Sequence, residues 1–83
     1  MHAKQGWTEK QEDGSTREVR ATRHAGRWRI QSRLKGEGEW LYHDPPLRED
    51  LETLRAMMHR KYMRRRCSLK IIEDLDALLI KLS

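Results

Sequence analysis

Asp44-Pro45-Pro46 divides the sequence into two stretches that obey different periods. Beyond it, Leu47, Leu51, Leu54, Met58 and Tyr62 recur every three or four residues, the spacing of a helix with one apolar face. Before it, turn formers at Asp13-Gly14-Ser15, Ala25-Gly26 and Gly36-Glu37-Gly38 cut the chain into segments the length of short strands. A chain that changes period once, without a repeat, is expected to be α+β. The expected fold is an antiparallel meander of three strands, four if the N-terminal segment pairs, followed by two α-helices packed on one sheet face. Asp44 or Pro45 is placed to cap the first helix, with Pro46 near its first position and Glu49 and Asp50 in the first turns. Arg64, Arg65 and Arg66 fall near its end. Ser68 is a good N-cap for a second helix carrying Leu69, Ile72, Leu75, Leu79 and Leu82.

At 83 residues this reads as one domain, with residues 1–44 as the β part, 45–83 as the helical part and 1–5 as candidates for disorder. Apolar residues make up 36% and charged residues 37%, so the core must be thin, and a partner or second copy would supplement it. Cys67 is the one cysteine, which excludes an intrachain disulfide and suits a reducing compartment; the cytoplasm is the expected location. The longest apolar run, 77–80, is far too short for a signal peptide or a membrane span, so a soluble protein with no membrane partner is expected.

A two-residue loop at Ala25-Gly26 pairs His24 with Arg27, and hence Ala21 with Ile30, Val19 with Ser32, Arg23 with Trp28 and Arg17 with Leu34. One sheet face becomes apolar. A three-residue loop at Gly36-Glu37-Gly38 pairs Lys35 with Glu39, bringing Trp40 opposite Leu34 and Tyr42 beside Ser32 on that same face. The other face then carries Arg20, Thr22, His24, Arg27, Arg29, Gln31 and Arg33, relieved by Glu18, Glu39 and Leu41. Trp7 depends on the first loop: a two-residue Asp13-Gly14 turn sets it opposite Arg20 on the basic face, and a longer loop moves it to the core side. The core side is preferred because large apolar residues are scarce and there is no Phe. Alternation by itself needs only an exposed polar face. The choice of Arg is more specific, because its planar five-donor fork suits phosphates and base edges.

Charge is banded along the chain. Residues 1–36 hold nine Lys and Arg against four acids, and 57–70 hold six against none. The second band includes Lys61, Arg64, Arg65 and Arg66, either a phosphate-neutralising cluster or a positive helix end favoured by the helix dipole. Catalytic chemistry has little to work with. His59 and Cys67 stand about 12 Å apart along a helix axis, too far for a direct hydrogen bond. The four histidines show no metal-ligand spacing, and GEGE lacks the helix N-terminus and lysine of a phosphate loop. No enzyme activity, cofactor or metal is expected.

Arg-bearing strands, a Gly-Arg-Trp at the second strand, a tryptophan on the third and a helix behind resemble the three-stranded DNA-binding domains of the AP2 type and the arm-binding modules of integrases, over about Arg17 to Tyr62. The resemblance implies a sheet docked in the major groove and nominates Arg20, Arg27, Arg29 and Arg33 as DNA contacts. Together these features lead to one expected function: binding of DNA or RNA through Arg20, Arg27, Arg29 and Arg33 on the sheet and Lys61, Arg64, Arg65 and Arg66 at the helix end. The alternative is a protein-interaction or homodimer module using the wide apolar stripe of the second helix, with an acidic protein or a second copy as partner.

Overall fold

The structure, a computed structural model, describes residues 3–82. It has four strands, β1 (Ala3–Lys10), β2 (Thr16–His24), β3 (Arg27–Leu34) and β4 (Leu41–His43), then two helices, α1 (Arg48–Met63) and α2 (Leu69–Lys81). The strands form one antiparallel sheet in chain order. The chain groups into two compact units, Met1–Pro46 and Leu47–Ser83, with the boundary beside the prolines where the sequence changes period.

In the sheet, the β2–β3 hairpin has the expected pairing throughout, from His24 opposite Arg27 to Arg17 opposite Leu34. Its two-residue loop holds Ala25 at φ 52° and Gly26 at φ 79°, the doubly positive turn that matches strand twist and that Gly adopts without steric cost. Odd residues of β2 and even residues of β3 therefore share a face, and Val19, Ala21, Trp28, Ile30 and Ser32 are buried there. β1 joins through the longer of the two loops considered. Gly14 donates its N–H to the Gln11 carbonyl (3.0 Å), and Gln11 and Ser15 close the ladder (2.8 Å). Asp13 accepts from the Ser15 hydroxyl (2.6 Å) and the Ser15 N–H (2.9 Å), bonds that hold its carboxyl below its usual pKa. Trp7 thereby faces Val19 on the buried side, half-buried, its Nε1–H donating to Glu9 (2.8 Å). Residues 3–5, which the sequence marks as candidates for disorder, pair with Ala21–Arg23; residues 1 and 2 lie outside the described residues.

The β3–β4 connection differs from expectation by one residue. Lys35 does not pair with Glu39: its N–H extends the β2–β3 ladder by donating to the Thr16 carbonyl (2.8 Å), and Glu37 donates to Leu34 (3.0 Å) across a turn that needs Gly36 at φ 94°. β4 then pairs Ser32 with Leu41, Gln31 with Tyr42 and Ile30 with His43. Because side chains alternate, a slip of one exchanges the faces of every residue in the strand. Tyr42 moves to the Arg-bearing face and Leu41 moves off it, while Leu34 at the strand end stays 40% exposed. On the buried face the Ser32 hydroxyl and His43 Nε2 share a hydrogen bond of 2.6 Å.

In the helical unit, α1 begins later than expected. Its N-cap is Leu47, with neither Asp44 nor Pro45 capping, and the Leu47 carbonyl accepts from the Leu51 N–H (3.1 Å). The physical reason is that a residue preceding proline is held out of helical geometry, so Asp44 and Pro45 stay outside the helix, which starts after the second proline. Ser68 occupies the N-cap position of α2 as expected, but its side chain makes no capping bond. Between the helices, Arg66 donates to Lys61 (2.7 Å) and Arg65 to Tyr62 (2.9 Å), the two reverse bonds of a Schellman ending, with Arg65 at φ 59° where Gly is usual. The Cys67 thiol donates to the Met58 carbonyl (3.3 Å), which accounts for the cysteine as a closing residue of this turn. Leu51, Leu54 and Met58 of α1 and Ile72 and Leu75 of α2 are buried, and Arg55 donates to Asp76 across the two helices.

Candidate nucleic-acid interface

Even positions of β2 and odd positions of β3 lie opposite one another on the second sheet face as Glu18 with Arg33, Arg20 with Gln31, Thr22 with Arg29, and His24 with Arg27. Each of these four successive pairs contributes one arginine. The four sheet arginines named by the sequence are therefore brought onto one surface, with Arg27 and Arg33 separated by about 20 Å of extended strand. Lys4 and Lys10 of β1 share this face through their partners Thr22 and Thr16. Its acid within the strands is Glu18.

The four arginines are not equivalent. Arg20 donates Nε–H to Gln31 Oε1 (2.9 Å), and Arg33 donates Nε–H to Glu18 Oε2 (3.2 Å). The guanidinium carbon of Arg20 lies 4.2 Å from the centroid of the Trp40 ring and that of Arg33 4.6 Å from it. Trp40 is thus corrected from the apolar face to the basic one. A cation over an indole is worth about 0.5–1 kcal/mol when exposed and about 2 when desolvated, and one ring here serves two cations. This cluster fixes the planes of both guanidiniums while their Nη groups make no hydrogen bond to a described residue. Arg27 and Arg29, by contrast, are exposed and make no ion pair with a described residue. Tyr42, opposite Gln31, is 52% exposed.

The second basic group falls in the helical unit. Lys61 is half-buried in the last turn of α1, Arg64 is its C-cap, and Arg64, Arg65 and Arg66 are exposed in the interhelical turn. Unlike the sheet arginines, these three are adjacent in one turn rather than paired in register across two strands. Trp40 and Tyr42 are the site residues that sequence reasoning missed, whereas Gln31 lies on this face as expected. The available signal was the turn at Gly36, whose length decides the parity of everything after it.

No protein-family model, curated protein or solved structure matches this chain. Among the described residues no group of three His, Cys, Asp or Glu is placed to hold a metal ion, and no helix is long and apolar enough to cross a membrane.

Proposed function

We propose that the Arg-bearing sheet face binds nucleic acid. The observation that carries this reading is the row of four arginines in four successive cross-strand pairs, two of them immobilised with their outer donors open. Arg forks match phosphate oxygens bidentately, and side chains already held in place lose less entropy on binding. A face that needed only solvation would not require the indole clamp.

Phosphate contacts make affinity depend steeply on salt. With four phosphates neutralised, affinity falls about 50- to 150-fold between about 50 and 200 mM salt, the lower figure for single strands and the higher for duplexes. Fluorescence anisotropy with mixed-sequence DNA and RNA reads this directly. Absence of binding at the lower salt, or an affinity indifferent to salt, contradicts the proposal.

A second reading has its own observation. On α2, Leu69 and Ile80 are exposed, which is where a second copy or another protein would dock. Sedimentation at twice the 10.0 kDa chain mass would favour that reading for α2 without removing the sheet face from account.

A further inference from the structure

Building on the nucleic-acid reading above, we infer that the occupant of the sheet face is a single-stranded polynucleotide, with one unstacked base on the Tyr42 ring and neighbouring phosphates on Arg20 and Arg33 and on Arg27 and Arg29. Three observations meet here. The first is the aromatic inventory. Trp28 is buried and Trp7, Trp40 and Tyr62 are half-buried, whereas Tyr42 is 52% exposed, so of the Trp and Tyr rings it is the one most open to solvent. An exposed ring on a basic face offers a stacking surface to any base. A base inside a duplex already has both faces covered by its neighbours.

The second is position. Tyr42 is the direct partner of Gln31, which places it on the diagonals to Arg29 and Arg33, at about 7 Å. A base on the ring therefore has arginine on both sides along the strand, one clamped through Trp40 and one free to adjust. Charge favours the same occupant: Lys4, Lys10, Arg20, Arg27, Arg29 and Arg33 face it against one acid within the described strands, Glu18, which pairs with Arg33.

The third is width. Where β4 pairs with residues 30–32 the sheet is four strands wide, about 14 Å at about 4.8 Å per strand before side chains are added. The major groove of a duplex is about 12 Å wide and admits a helix or a two-stranded ribbon. The sheet is better suited to carry a flexible strand across its surface than to enter a groove. Stacking and phosphate contact do not consult the 2′-hydroxyl, so DNA and RNA single strands are bound alike.

The test uses the intact chain and four labelled probes at about 50 mM salt: a short oligothymidylate, an oligouridylate of equal length, a mixed-sequence duplex of that length, and heparin, a polyanion without bases. Expected are similar affinities for the two single strands, weaker binding of the duplex, and a loss of about tenfold for oligothymidylate in Tyr42→Ala, the worth of one stacked base. Heparin binding stays unchanged in Tyr42→Ala, and Tyr42→Phe restores the oligothymidylate affinity. Thermal unfolding of both variants reports any damage to the fold separately. A duplex that binds as tightly as the single strands, or equal losses for heparin and oligothymidylate, overturns the inference while leaving nucleic-acid binding in place. Failure of every probe to bind removes both.

Discussion

Replacing Arg27 and Arg29 together by Gln lowers affinity for nucleic acid about 25- to 60-fold at about 0.1 M salt, and reduces the slope of log affinity against log salt by about 1.4 to 1.8. The figures follow from removing two phosphate contacts, at about 0.7 of a counterion each for single strands and 0.9 for duplexes. These two positions give the cleanest variant because they are exposed and make no ion pair with a described residue, so no ion pair among the described residues is lost. Arg33→Gln is less informative, since it also breaks the Glu18 bond and the Trp40 contact. Salt titrations of the double variant and of the unsubstituted chain, read by anisotropy, decide the matter. Unchanged affinity in Arg27→Gln with Arg29→Gln, together with a loss in Arg64→Gln with Arg66→Gln, moves the binding site to the interhelical turn.

Leu75→Ala is the substitution with the largest expected effect on stability. Leu75 is 0% exposed, and a buried Leu→Ala change costs about 2–5 kcal/mol through lost transfer energy and the cavity left behind. Total stability of about 5–15 kcal/mol leaves little margin. At about 4–8 °C per kcal/mol for a domain of this size, the melting temperature falls by at least about 8 °C. Leu69→Ala, on the same helix at 49% exposure, is the internal control and changes stability by less than about 0.5 kcal/mol. Equal effects at the two positions, measured by thermal unfolding, would mean that Leu75 does not belong to the packed face of α2.

The β2–β3 pairing was legible because a two-residue loop leaves no freedom of register, and a slip of one residue scatters Val19, Ala21, Trp28 and Ile30 across both faces. Trp7 could be assigned by scarcity: a chain without Phe has few residues able to fill a buried face. Trp40 could not. Hydrophobic patterning counts tryptophan as a core residue, but its electron-rich ring also attracts guanidinium groups, and with Arg20 and Arg33 on the open face that attraction has two partners. The two glycines of Gly36-Glu37-Gly38 admit several loop lengths, so nothing local fixed the parity of β4. The helix start was misplaced for a similar reason, because capping preferences rank Asp44 highly while the two prolines after it delay the first helical turn. The four arginines came together as expected because they all lie on the one hairpin whose register was determined.

The most direct measurement is a nuclear magnetic resonance titration of the chain with a short oligothymidylate, following backbone amides and the Arg Nε–Hε groups together. Binding on the sheet face requires shifts at the Arg20, Arg27, Arg29 and Arg33 side chains and along β3 and β4, with α2 unmoved. Shifts confined to Arg60–Ser68 or to α2, with the sheet arginines unchanged at saturation, would contradict it.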